Sequence, residues 1–191
     1  MEQYNEKLKP ILNDLENPKI EIAGGSAVGM VLSITNSLIG YICNLTIGKK
    51  KYENVQDEVL KIKEEAESLK EKALYIIDED RNVLDKILKA YKTRKENPEE
   101  LEEASKASVI FCKEVMDNAF KTLKLSKRIA LVGNRMLSSD FEISKKYAFS
   151  SVEASIVNIE INLKSVSDET FVKKVREEYL KQYEEAKEMA K

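Results

Sequence analysis

The sequence has no histidine and no tryptophan among its 191 residues, and it has only 3 prolines, 6 glycines and 2 cysteines. Without histidine there can be no Ser-His-Asp triad, no HExxH zinc site and no imidazole acid–base catalyst. Any proton transfer must therefore use Asp, Glu, Lys, Tyr or water. The scarcity of Gly and Pro leaves little material for turns, which favours long helices.

The sequence also lacks an excess of either charge, since it has 32 basic and 34 acidic residues and the two signs are interspersed along the chain. A nucleic-acid binder needs a basic stripe, so this balance speaks against that class. Cys43 and Cys112 lie in apolar segments without a CxxC pattern, which predicts reduced thiols and a cytoplasmic protein. The N-terminal segment shows no export signal, and no residue cluster has metal-ligand spacing.

One long stretch, residues 22–48, contains no charged residue at all and is long enough to span a bilayer. Its middle nevertheless carries Ser33, Thr35, Asn36 and Ser37, which favours a buried helix of a helical assembly over a membrane span. A helix that is apolar all round must be covered on all sides. We therefore expect a second subunit to cover part of it, giving a homodimer with no membrane association.

Start and stop signals predict one all-α domain over residues 1–191, a bundle of about six helices of which several are long. The first two helices are expected over about 2–16 and 27–47, separated by a loop over 18–25. A long third helix follows. Asn97-Pro98 should start the fourth, which ends near Gly133; Ser138 or Ser139 should cap the fifth, and the last should run from Ser167 to Lys191.

The third helix carries the clearest periodicity, an apolar seam with alternating spacings of four and three residues. It comprises Val55, Val59, Ile62, Ala66, Leu69, Ala73 and Ile76, and then continues through Asp80 to Leu84, Ile87 and Tyr91. A carboxyl group that is withdrawn from water holds its proton more tightly, which suits a general acid or base. The alternative is a polar residue that sets helix register or takes part in a salt bridge.

Other candidate features each have an ordinary structural alternative. Gly24-Gly25-Ser26 opens a helix whose free N–H groups could bind an anion or a carbonyl oxygen, or it is a plain loop. The lysines at 49–51 could attract a polyanionic tail, or they form a solvated helix end. Residues 133–140 could be a simple helix–turn–helix connection. A row of short polar side chains could bind a ligand or pack closely on another helix: Ser151, Ser155, Asn158 and Asn162.

The order of these blocks resembles the cyclodeaminase/cyclohydrolase family of folate enzymes over about residues 5–180. The first blocks are Gly24-Gly25-Ser26, the segment 44–52 and an aspartate on a long helix. Gly133-Asn134 with Ser139-Asp140, and the closing segments 158–163 and 167–171, continue the match. The resemblance implies an all-helical, dimeric enzyme that works on the one-carbon bridge between N5 and N10 of tetrahydrofolate, with no metal and no cofactor beyond the folate.

The resemblance also implies residue roles. Asp80 corresponds to the buried acid–base aspartate of the family, and we expect it to face a cavity walled by the 24–25 turn and the 133–140 loop. Lys49 or its neighbours would meet the folate glutamate tail. The implied substrate-binding residues are Gly24, Gly25, Ser26, Asn44, Lys49, Asn134 and Asp140.

The leading functional hypothesis is a formiminotetrahydrofolate cyclodeaminase that releases ammonia and forms 5,10-methenyltetrahydrofolate. A separate formiminotransferase would supply its substrate. A methenyltetrahydrofolate cyclohydrolase that uses the same aspartate base is one alternative. A non-catalytic helical scaffold is another, because the turn reads Ile22-Ala23-Gly24-Gly25-Ser26 where the family usually has Pro-Gly-Gly-Gly-Ser. Losing the Pro and one Gly removes a rigid entry and a position open to positive φ.

Overall fold

A computed structural model describes residues 4–19 and 22–191, and within these ranges the chain forms six α-helices and no strand. Their bounds are α1 Tyr4–Glu16, α2 Gly24–Asn44, α3 Gln56–Thr93, α4 Pro98–Val132, α5 Ser138–Leu163 and α6 Glu169–Ala190, with short 3₁₀ turns at Lys50–Val55 and Arg135–Leu137. The predicted all-α class and helix order are confirmed. The predicted start of the first helix at Glu2 lies outside the described residues.

Two expected boundaries differ from the structure. Helix α2 begins three residues earlier than predicted, so Gly24 and Gly25 belong to its first turn and not to a loop. The predicted caps of α5 are wrong, because its N-cap position is Leu137 and no side chain caps that end. Asp168 does cap α6, since its carboxylate accepts a hydrogen bond from the backbone N–H of Phe171. Helix ends fray, and their positions vary by a residue or two, which limits what a Ser-Ser pair can predict.

Helix α4 packs against α3, α5 and α6, while α2 lies across α3, α4 and α5. The α3 seam is confirmed over its first half, where all residues from Val59 to Ile76 of the 4-3 pattern are buried. Beyond Asp80 the residues of the seam are less buried. Leu84 and Ile87 are half-buried, and Tyr91 is 53% exposed. The second half of α3 therefore borders an open part of the bundle.

One face of the uncharged helix α2 packs inside the bundle. Its polar residues bond within the protein: Thr35 Oγ1 donates to the Val31 carbonyl, and Asn36 Nδ2 donates to Thr122 Oγ1 of α4 at 3.0 Å. By length and composition α2 could cross a membrane, as many core helices could, and half of its most apolar window is buried. Its other side carries Ile34 and Tyr41, both more than half exposed, so one apolar face of α2 is uncovered in the single chain.

Candidate active site

Asp80 binds the first turn of α2. The backbone N–H of Ser26 donates to Asp80 Oδ2 at 2.8 Å, and Ser26 Oγ lies 3.1 Å from the same oxygen and 2.8 Å from the Ile77 carbonyl. The first N–H groups of a helix have no intrahelical acceptor, and the N-cap residue Ala23 offers no side-chain acceptor. A carboxylate from α3 therefore caps α2 across 54 residues of sequence.

This contact changes the expected environment of the aspartate. Asp80 is half-buried, so the prediction of a buried carboxyl in the apolar seam is met only in part. A helix N-terminus concentrates partial positive charge, and the Asp80 carboxylate lies against it. Oδ2 receives the Ser26 contacts, whereas Oδ1 has no hydrogen-bond partner in the part of the chain that the structure describes. Ser26 thus holds one carboxylate oxygen and makes no contact with the other.

Gly25 is required by the closeness of this contact. A Cβ atom at Gly25 would lie 2.0 Å from Asp80 Oδ1, whereas one at Gly24 would meet only Asn158 Oδ1 at 3.8 Å. Ala23 has extended backbone (φ −126°, ψ −157°) that any residue adopts. The position of Ala23 therefore does not need a glycine. The altered turn keeps the glycine that the contact needs, and it lends no support to the scaffold alternative.

A cleft of about 170 Å³ opens beside Asp80. The first turn of α2, the second half of α3, α4 and α5 form its walls, which mix polar and apolar side chains. The lining residues are Ala23, Gly24, Gly25, Asp80, Val83, Leu84, Ile87, Ser108, Cys112, Asn158, Ile161 and Asn162. Sites for drug-sized ligands usually measure about 300–1,000 Å³, so this cleft can hold a reacting group but not a whole folate.

Cys112 lies in the cleft wall but is a poor nucleophile. Burial, and to a smaller extent the negative charge of Asp80, raises the pKa of its thiol to about 11. The thiol therefore stays protonated near neutral pH. Asn162 Nδ2 lies 3.5 Å from Cys112 Sγ and donates to the Asn158 carbonyl at 2.9 Å, so the Asn162 amide is engaged within the wall.

The 133–140 loop lies elsewhere, and the prediction that it walls the Asp80 cavity is wrong for the single chain. Asn134 is buried and ties this loop to the end of α2. Its N–H donates to Thr46 Oγ1 at 3.0 Å, its Nδ2 donates to the Leu45 carbonyl, and its Oδ1 accepts from Tyr52. The expected substrate contact of Asn134 would have to compete with these bonds.

The remaining predicted binding residues also lie near the C-terminal end of α2, away from Asp80. Asn44 is the exposed last residue of α2, Lys49 is exposed just beyond it, and Asp140 is half-buried in the first turn of α5. A helix of 21 residues is about 30 Å long, so Asn44 lies roughly that far from the Gly24 end of α2. The structure therefore brings Gly24, Gly25 and Ser26 to Asp80, but not Asn44, Lys49, Asn134 or Asp140.

Sequence reasoning missed the contribution of α4 to the cleft, and for the polar row of α5 it left ligand binding and helix packing open as alternatives. The polar row of α5 contains two different kinds of position: Ser151 and Ser155 are buried and bond to carbonyls of their own helix, whereas Asn158 and Asn162 line the cleft. The change from Ser to Asn along the row was the available signal. Within the described residues no three His, Cys, Asp or Glu side chains are grouped as metal ligands.

Comparison with known proteins gives a consistent result. Residues 7–181 match the sequence profile of the formiminotransferase-cyclodeaminase family. A methenyltetrahydrofolate cyclohydrolase of Methylorubrum extorquens is 28% identical and aligns over 94% of this chain and 88% of its own length. The formimidoyltransferase-cyclodeaminase of Sus scrofa is 22% identical over 96% of this chain, which spans about a third (35%) of that longer enzyme.

The fold agrees with these alignments. The crystal structure of a formiminotetrahydrofolate cyclodeaminase from Thermotoga maritima superposes with a TM-score of 0.85 at 28% identity, covering 96% of this chain and 89% of that one. A match of this extent leaves no major element of the bundle without a counterpart. Together with the profile match over nearly the whole sequence, it shows that this chain belongs to the formiminotransferase-cyclodeaminase family of folate enzymes.

Proposed function

We propose that the Asp80 cleft is the site at which the one-carbon bridge between N5 and N10 of tetrahydrofolate reacts, with Asp80 as the acid–base group. The observation that carries the proposal is how the carboxylate is held: Ser26 donates to Oδ2, Oδ1 has no hydrogen-bond partner among the described residues, and Asp80 lines the cleft. A base must be fixed in direction and still able to take a proton. The relatives named for folate reactions supply the substrate class.

As a cyclodeaminase, the protein would close 5-formiminotetrahydrofolate to 5,10-methenyltetrahydrofolate. N10 attacks the carbon of the protonated formimino group (N5–CH=NH2+), whose nitrogen becomes an amino group, and Asp80 takes the proton that N10 loses. The tetrahedral intermediate then collapses when Asp80 returns a proton to the departing nitrogen, which leaves as ammonia. One carboxyl group acting in turn as base and acid balances both steps.

The second candidate is hydrolysis of 5,10-methenyltetrahydrofolate, and the Methylorubrum cyclohydrolase favours it because that relative aligns over nearly its whole length. Water attacks the same carbon, Asp80 takes a proton from that water, and the bond from the carbon to one of the two folate nitrogens breaks as that nitrogen is protonated. The carbon then remains on the other nitrogen as a formyl group. The same base and cleft serve both reactions.

Absorbance of methenyltetrahydrofolate tests the proposal and separates the two reactions. Its appearance from the formimino substrate indicates a cyclodeaminase, and its loss by hydrolysis indicates a cyclohydrolase. Asp80→Asn should lower kcat by about 10²–10⁴-fold with folate affinity little changed. The Asn side chain still offers an oxygen to the Ser26 N–H, so the fold should be kept.

Asp78→Asn is the matched control, because Asp78 is an exposed carboxylate two residues away on the same helix. It should retain wild-type activity. Full activity of the Asp80→Asn protein would contradict the acid–base role. Absence of both reactions in the wild-type protein would contradict the function itself.

We also propose that a second copy of the chain covers the open face of α2 that carries Ile34 and Tyr41. Burying an apolar face on an identical subunit is the common solution for such a surface. Because α2 starts at the Asp80 cleft, a subunit on this face would add the wall that a folate-sized ligand needs. Sedimentation should show a dimer at micromolar concentration and a monomer for Ile34→Asp. A monomeric wild-type protein would contradict this.

A cytoplasmic location and supply of substrate by a separate formiminotransferase complete the proposal. Both cysteines are unpaired and buried, which supports a reducing compartment such as the cytoplasm. Cell fractionation tests the location. The coupled reaction tests the supply: added formiminotransferase, with its formimino donor and tetrahydrofolate, should produce methenyltetrahydrofolate only when this protein is present.

A further inference from the structure

Asn158 differs from the other shielded asparagines of the bundle. It is half-buried on α5 and lines the Asp80 cleft, yet neither atom of its amide group has a hydrogen-bond partner within the described residues. The other buried or half-buried asparagines all bond to protein groups through their amides: Asn36, Asn118, Asn134 and Asn162. A polar side chain that is partly withdrawn from water and left without a protein partner is available to a ligand.

We propose that Asn158 contacts the reacting group of the substrate through its side-chain amide. The inference rests on the proposed function and adds a second polar contact to the same site. Asn158 Oδ1 lies 3.8 Å from the position of a Cβ on Gly24, and Asp80 Oδ1 lies against the next residue, Gly25. The amide and the carboxylate therefore flank the same turn of α2.

The two side chains have complementary hydrogen-bonding capacities. An ionised Asp80 can only accept, whereas the Asn158 amide offers two donor hydrogens and one acceptor oxygen. In ring closure, Asn158 Oδ1 accepts an N–H of the departing nitrogen. In hydrolysis, Asn158 Nδ2 donates to the oxygen of the attacking water. In both reactions Asn158 holds the exchanging atom while Asp80 moves the proton.

Substitution by alanine tests this assignment, because alanine removes the amide and costs the bundle no protein hydrogen bond. We expect Asn158→Ala to lower kcat/KM by about 10–100-fold, the loss of one or two hydrogen bonds to the reacting group. The melting temperature without ligand should stay within about 2 °C of wild type. Asn82→Ala is the matched control, because Asn82 is exposed on α3 and, among the described residues, its amide hydrogen-bonds to Glu79 alone.

Ligand binding provides a readout that does not depend on turnover. The melting temperature of the wild-type protein should rise with millimolar 5-formyltetrahydrofolate, and that rise should be reduced in Asn158→Ala but not in Asn82→Ala. An active wild-type protein with an equally active Asn158→Ala variant overturns the role of Asn158 alone. A wild-type protein that neither reacts nor shifts overturns the proposed function and this assignment with it.

Discussion

Gly25→Ala is the sharpest structural perturbation of the site, because it adds one methyl group at the closest contact of Asp80. The new Cβ would lie 2.0 Å from Oδ1 and 2.5 Å from Cγ of the aspartate. Side-chain carbons essentially never approach closer than 3.0 Å, so the carboxylate must move by at least about 1 Å. Gly25 lies in regular helix, so the substitution is sterically costly without being strained in the backbone.

The magnitude follows from the bonds that this movement breaks. The Ser26 N–H loses a charged acceptor, which costs about 1.5–3 kcal/mol. Alanine returns up to about 1 kcal/mol through its higher helix propensity. We expect a net loss of about 1–2 kcal/mol, which lowers the melting temperature of a chain of this length by about 2–8 °C. Because Asp80 is the proposed acid–base group, displacing its carboxylate by about 1 Å should lower kcat by about 10²-fold.

Thermal unfolding and the methenyltetrahydrofolate absorbance assay measure the two effects on the same preparations. Gly40→Ala is the control, because a Cβ there meets nothing within 4 Å and the residue lies in the same helix. It should be as stable as wild type or more so, with unchanged activity. A Gly25→Ala protein that matches the control in both assays would refute the steric argument and the capping role of Asp80.

Two further predictions concern parts of the bundle away from the cleft. Asn134→Ala should destabilise the protein by about 1–3 kcal/mol and lower its melting temperature, because the Leu45 carbonyl and the Tyr52 hydroxyl each lose a hydrogen-bond partner. An unchanged melting temperature would show that other contacts hold the loop. Arg176, and then Tyr179, lower the pKa of Glu160 in the folded state, so this carboxylate stabilises the protein above its unfolded pKa of about 4.3. This contribution is below about 1 kcal/mol for a partly exposed pair, and it should be lost as the pH falls through the lowered pKa. The denaturant midpoints of wild type and Glu160→Gln should therefore differ at pH 6 and converge in acid. A difference that stays constant with pH would contradict this.

The sequence by itself determined the features that depend on local periodicity. The 4-3 seam of α3 indicates which residues face the bundle from Val59 to Ile76, because a helix repeats its faces every 3.6 residues whatever it packs against. The same seam placed Asp80 among shielded positions. Asn97-Pro98 located the start of α4, since proline favours the first turn of a helix.

Only the tertiary structure decided which helix ends meet. Asp80 caps α2 through Ser26, while Asn134 joins the opposite end of α2 at Thr46, and neither pairing has a signature in the local sequence. Asn158 looked like one member of a regular polar row, and its free amide became visible only once α2, α3 and α5 were packed around it. Periodicity reports the face of a helix, but the contacts along that face depend on how far each neighbour extends and where it ends.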